Sequence, residues 1–208
     1  MWYSIIVTVL VGYMLGNLNG AVCISALMND DVRSHGSGNA GLTNFIRNYG
    51  AARAFQVLLI DAGKAALACV CGGLLLKPFG TFQMGSAIGG LALMLGHAYP
   101  VLLGFRGGKG ILSGLFVAAV TDWRIALIVL AVFAVAYFTT QYVSLGSVLA
   151  ATAFAVCFVV FHYKTDLVVA VCGAVAGFLA VFMHRGNIVR LCKGQERKTN
   201  LFAKKKEE

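Results

Sequence analysis

Seven apolar runs, separated by short polar stretches, constrain this chain more than any single motif does. They cover residues 2–28, 51–76, 82–95, 111–120, 125–138, a stretch ending at 161, and 167–183. In hydrocarbon a backbone N–H or C=O has no water to bond, so runs of this kind fold as helices that satisfy their own ladder. With 59% hydrophobic residues, 12% charged residues and a mean hydropathy of +0.82, the chain is too apolar for a soluble domain. The expected fold is all-α: a polytopic membrane helix bundle of about seven transmembrane helices, one domain over residues 1–208 with a basic tail from about residue 184. The first run lacks the basic start and small-residue cleavage site of a signal peptide and is expected to stay. Its Gly12, Gly16 and Gly20 recur every fourth residue, a flat stripe for a close neighbour. The fourth run, residues 111–120, reaches only about half the hydrocarbon thickness. Either its helix starts in the glycine loop before it, or it dips in without full lipid exposure.

The net charge of +9 could suggest nucleic acid, but its distribution excludes that partner. Arg33, Arg47, Arg53, Arg106, Lys109 and the tail cations Arg185, Arg190, Lys193, Arg197, Lys198, Lys204, Lys205 and Lys206 fall on one set of connections. Lys77, Arg124 and Lys164 alone fall on the other. The positive-inside rule puts the richer set in the cytoplasm, the C-terminus with it, and the N-terminus outside. All the glycine-rich polar loops then share the cytoplasmic face. The six cysteines show no zinc-site spacing and read as small packing residues, so neither metal nor cofactor is expected.

Three polar segments carry the chemistry. In the first, Gly36, Gly38 and Gly41 let the backbone turn tightly around Ser37, Asn39, Thr43, Asn44 and Arg47, a set suited to an anion with several oxygens. In the second, Gly107, Gly108 and Gly110 surround Lys109, with His97 ten residues before Gly107; it reads as a phosphate cradle or as a flexible basic loop held to lipid headgroups, and it is not a Walker A motif, which needs Ser or Thr where Gly110 stands. The third places His184 and Asn187 at helical spacing, followed by Arg190. Asp61 and Lys64, three residues apart inside the second run, share a helix face and read equally as a functional pair or a structural ion pair. His162 and Asp166 have the wrong spacing for an acyltransferase His/Asp pair and lie at the wrong end.

These motifs, in order, together with Pro100, Ser144, Ser147, Gly194 and Glu196, resemble those of the acyl-phosphate-dependent glycerol-3-phosphate acyltransferase (PlsY) family. The resemblance spans nearly the whole chain, with Leu42, Ala65, Arg106, Gln141 and Gly186 departing from the usual pattern. It implies transfer of a fatty acyl group from acyl phosphate to the 1-hydroxyl of glycerol 3-phosphate, giving lysophosphatidic acid and phosphate, at a bacterial plasma membrane. Both substrates carry phosphate, the membrane lipid holds the tail, and no obligate protein partner is implied. On this reading Ser37, Arg47 and His184 are catalytic. Gly36, Gly38, Asn39, Thr43, Asn44, His97, Gly107, Gly108, Lys109, Gly110, Ser144, Ser147, Asn187 and Arg190 bind substrate, and Asp61, Lys64 and Glu196 are structural. His184 is the expected proton acceptor; a covalent acyl-Ser37 would have only His35 nearby as base. A phosphate or organophosphate transporter is the alternative, although it should show repeated halves and cations near the midplane.

Overall fold

The computed structural model describes residues 1–199, so Lys204, Lys205 and Lys206 of the charge pattern lie outside the described residues. Within them the chain forms ten α-helices: α1 (Trp2–Asn17), α2 (Gly20–Ala26), α3 (Leu42–Tyr49), α4 (Ala51–Leu76), α5 (Phe82–Ala98), α6 (Ile111–Thr121), α7 (Trp123–Thr140), α8 (Val143–His162), α9 (Leu167–Met183) and α10 (Arg185–Cys192). Short 3₁₀ turns at Val32–Ser34, Lys77–Phe79 and Val101–Leu103 join some of them. Four spans are long and apolar enough to cross a bilayer, and two bent pairs, α1 with α2 and α9 with α10, raise that to six. The short α6 is apolar but has only 11 residues.

Helix α5 is the hub, packing on α1, α4, α6 and α9. Small residues allow this. A Cβ on Gly12 of α1 would sit 2.6 Å from the Gly89 carbonyl oxygen of α5, so the two backbones touch directly. The expected glycine stripe is broken, however: Gly12 meets α5, whereas Gly20 lies beyond a 43° bend and meets Val57 of α4. Asn19 makes that bend. Its side chain caps α2 by accepting from the Val22 N–H at 3.1 Å and donates to the Ala40 carbonyl at 3.0 Å. The second bend, 55° between α9 and α10, falls at His184. Both breaks thus put a polar side chain where the helix ladder is interrupted.

The main core joins α4, α5, α6, α7, α8 and α9 around Leu93, Ile125, Phe154, Phe158 and Val169. A second cluster packs Leu42, Phe45, Ile46 and Tyr49 of α3 onto Ala21, Ile24, Ala54 and Val57. Burying that face of α3 turns its opposite face, with Thr43 and Arg47 one turn apart, toward the bundle interior. The connections sort into two ends. Glycine loops, α3, α10 and the segment after it gather at one end; Thr81, Asp122, His162 and Asp166 gather at the other.

Candidate functional site

The polar end surrounds a cavity of about 480 Å³. Its rim holds Gly36, Ser37, Asn39, Thr43, Asn44, Arg47, His97, Lys109, Gly110, Ser144, Ser147, His184, Asn187, Arg190 and Glu196, so one hollow gathers all three polar segments. Its deeper wall is apolar: Ile111, Leu112 and Leu115 from α6, Val129, Leu130 and Phe133 from α7, and Val143 and Ala150 from α8.

The first loop is held by Asn44. Its Oδ1 accepts from the Ser37 N–H at 3.0 Å, and its Nδ2 donates to the carbonyls of Val32, His35 and Asn39 at 3.0 to 3.1 Å. An amide engaged on both sides shapes the loop rather than holding a ligand. His35 is turned to Asp30, 2.9 Å from both carboxylate oxygens, and stands edge-on to Tyr49. It therefore gives Ser37 no base.

The second loop rests on His97. Gly108 donates its N–H to the His97 carbonyl at 3.0 Å, and a Cβ there would collide with the imidazole and the Ala40 carbonyl. Gly107 likewise packs on the His97 carbonyl. Gly38, Gly107 and Gly108 do not line the cavity, so the expected cradle of glycine amides reduces to Gly36, Gly41 and Gly110. Below the loop lies the pair from α4. Lys64 spends its three N–H donors on Asp61 Oδ1 at 2.8 Å, the Leu18 carbonyl at 2.5 Å and His97 Nδ1 at 2.8 Å. Asp61 also accepts from the Gly20 N–H at 3.2 Å. Because an ammonium cannot accept, His97 Nδ1 must, and its proton sits on Nε2, the nitrogen beside Gly108. At 2% and 4% exposure, Asp61 and Lys64 form a saturated buried ion pair that fixes α1, α4 and α5 under the site.

Lys109 differs. Among the described residues its ammonium donates to Asn187 Oδ1 and pairs with no carboxylate. Burial, with Arg190 and Arg47 nearby, lowers its pKa to about 8 against a smaller opposing pull from Glu196. Asn187 is oriented by its second partner: Nδ2 donates to Glu196 Oε1 at 2.9 Å, and Glu196 Oε2 accepts from Arg190 Nε at 2.7 Å. Burial would raise the Glu196 carboxyl, but these bonds outweigh it and hold the group below its usual range. For Arg47 burial acts the other way and holds it below the usual arginine value. His184 donates Nδ1–H to the Ala180 carbonyl at 2.8 Å, which leaves Nε2 as an acceptor on a buried ring that lines the cavity. Ser147 donates to the Val143 carbonyl at 2.8 Å.

Sequence reasoning missed three contributors. Ser113 lines the cavity at 1% exposure with no hydrogen-bond partner for its hydroxyl; one hydroxyl inside an apolar run was the available signal. The apolar wall on α6–α8 has the same composition as any lipid-facing surface and carries no signal. Gln195, Arg197 and Thr199 return over the site after α10. His162 and Asp166, set aside above, are structural: His162 Nε2 lies 3.1 Å from Asp122, and Asp166 accepts from the Thr81 hydroxyl at 2.7 Å.

Comparison with known proteins follows the same lines. The profile of a family described as glycerol-3-phosphate acyltransferase matches residues 6–194. The chain is 37% identical over 195 residues to the glycerol-3-phosphate acyltransferase of Finegoldia magna, covering 93% of this chain and 96% of that one. It is 35% identical to the Thermoanaerobacter sp. enzyme of the same name, covering 93% and 94%. A crystal structure of PlsY (YgiH), an integral membrane glycerol 3-phosphate acyltransferase, in its glycerol 3-phosphate form superposes with a TM-score of 0.85 at 32% identity, covering 95% of this chain and 96% of that one. The lysophosphatidic acid form of PlsY superposes at 0.79 with the same identity and coverage.

Proposed function

This chain belongs to the glycerol-3-phosphate acyltransferase family, and on that footing we propose that it takes a fatty acyl group from acyl phosphate and places it on the 1-hydroxyl of glycerol 3-phosphate, giving lysophosphatidic acid and phosphate. The observation that carries this is the two-character cavity: Lys109 and Arg47, with no carboxylate partner among the described residues, at its mouth and an apolar wall beneath. Two phosphates and one acyl chain need that combination. The transporter alternative loses its ground, because the family is an acyltransferase family.

In this reading Lys109 and Arg47 bind phosphate oxygens, with Arg190 at the rim and Asn187 holding Lys109 in place. Ser37 donates toward the acyl carbonyl oxygen as it gains charge. The 1-hydroxyl oxygen attacks the acyl carbon, the acyl C–O bond to phosphate breaks, and the hydroxyl proton passes to His184 Nε2 and leaves on the released phosphate. Phosphate is a good leaving group, so positioning and charge stabilisation supply most of the acceleration and no acyl-enzyme is formed. No cofactor and no obligate protein partner enter this scheme. Counting α6, the bundle crosses a bacterial plasma membrane seven times as one domain, N-terminus outside and the site on the cytoplasmic face; the alternation of the two helix ends and the skew of basic residues support this.

The deciding experiment gives purified enzyme glycerol 3-phosphate with acyl phosphate, acyl-CoA or acyl carrier protein thioester. Turnover is expected with acyl phosphate, and comparable use of either thioester would overturn the donor assignment. For topology, Ser34→Cys should react with an impermeant thiol reagent only from inside and Thr165→Cys only from outside, with the exposed Cys192 replaced beforehand.

A further inference from the structure

Past Gly194, where the family match ends, the chain reverses through a left-handed glycine (φ 65°) and crosses the cavity mouth to the α7–α8 junction. Thr199 is buried there and held at its backbone. Its N–H donates to the Gln141 carbonyl at 3.0 Å, and its carbonyl accepts from the Tyr137 hydroxyl at 3.1 Å. Its own hydroxyl accepts from Arg47 Nη2. Among the described residues Arg47 pairs with no carboxylate; Glu196 lies close enough to favour its charge, more than Arg197 opposes it.

We propose that Thr199 is a positioning residue for Arg47, aiming the guanidinium so that its remaining N–H groups meet the substrate phosphate. The proposal rests on the reading of Arg47 as a phosphate ligand. Two features favour a hydroxyl in this place. Arginine ends a long flexible stem, so a guanidinium with no direct carboxylate partner needs an anchor to stay at one point. A carboxylate anchor would neutralise it and compete with the incoming phosphate; a hydroxyl accepts one bond and leaves the whole charge available. Both backbone bonds of Thr199 go to the α7–α8 junction, so the contact also ties α3 to the opposite wall of the cavity.

Thr199→Val keeps the shape and both backbone bonds and removes only the acceptor. Steady-state kinetics with each substrate varied should show the KM for one phosphate substrate rising about tenfold, the scale of one hydrogen bond to a charged group, with kcat within about twofold. Thr199→Ser should restore the wild-type KM. Arg47→Gln should raise the same KM further, and adding Thr199→Val to it should change nothing more. If Arg47→Gln raises KM while Thr199→Val does not, the positioning role is overturned and the Arg47 reading stands. If Arg47→Gln leaves both KM values unchanged, the Arg47 reading falls and takes the proposal with it. Loss of thermal stability in Thr199→Val with no rescue by serine would make the contact structural only, and that also overturns the proposal.

Discussion

The two ends of the bundle treat their polar side chains in opposite ways. At the far end Thr81, Asp122, Arg124, His162 and Asp166 are each spent on another group from the same end. Asp122 caps α7 and takes both Arg124, at 2.6 Å, and His162; Thr81 caps α5 and donates to Asp166, which caps α9. At the cavity end Lys109 and Arg47 lean on an amide and a hydroxyl, neutral partners that leave their charge exposed to the hollow. Lys64 shows that this chain can saturate a buried lysine when only architecture is required. Positive charge left unpaired beside a cavity marks a place for a ligand that brings the negative charge itself.

The largest test of that contrast is Lys109→Met. If the substrate is the counter-ion of the charge it removes, as proposed, KM for a phosphate substrate should rise strongly and kcat/KM fall by about two to three orders of magnitude, the scale of losing a desolvated charge contact. Lys164→Met, at the far end, should stay within about twofold of wild type in the same assay. Equal effects at the two ends would erase the distinction.

Ser37→Ala comes next and separates chemistry from binding at the cavity end. It removes a hydroxyl and no charge. If that hydroxyl serves the developing oxyanion, kcat should drop about a hundredfold with KM little changed. With His35 turned to Asp30, the neighbouring imidazole is not available to make Ser37 a nucleophile, so rapid quench of wild type should show no acyl-enzyme. A trapped acyl-serine would reverse that assignment.

A smaller effect follows from the Lys109 pKa of about 8. The value is lowered, so the ammonium is present below pH 8 and is lost as pH rises through it. Phosphate monoesters have already lost their second proton near pH 6, so the substrate does not titrate there. The kcat/KM profile should therefore bend downward near pH 8 and fall about tenfold by pH 9. In Lys109→Arg the bend should move to higher pH, since a guanidinium stays charged. A bend still near pH 8 in that variant assigns the titration to another group.

What the sequence disclosed depended on the range of the interactions involved. The bounds of α4 and α9 were legible because local signals set them: Lys77-Pro78 stops the first, and Asp166 caps the second. The polar lining of the cavity was largely legible because polar groups stand out against apolar runs. The break at Asn19 was not, since its geometry depends on the Ala40 carbonyl 21 residues away. Nor was the work of Asn44, Gly107 and Gly108: a loop rich in amides and glycine reads as a ligand cradle until its partners are known. Thr199 meets Arg47 across 152 residues, and no local pattern announces such a contact.

The smallest expected effect on activity belongs to the far end, and it tests the comparison from the other side. Asp122 is 8% exposed, caps α7 through the Arg124 N–H at 3.1 Å, and faces His162 from α8. Asp122→Asn keeps a capping oxygen but removes the charge that Arg124 and His162 share, while Asp122→Ala removes the cap as well. Losing the cap alone costs about 1 kcal/mol, and stranding a buried imidazole adds about 1 to 3 kcal/mol. Thermal unfolding should therefore rank the alanine variant below the asparagine variant and both below wild type. In bilayer or detergent, well below the unfolding transition, kcat and both KM values should stay within about twofold. An altered KM in Asp122→Asn with unchanged stability would mean that the far end communicates with the cavity, and that pairing there is more than architecture.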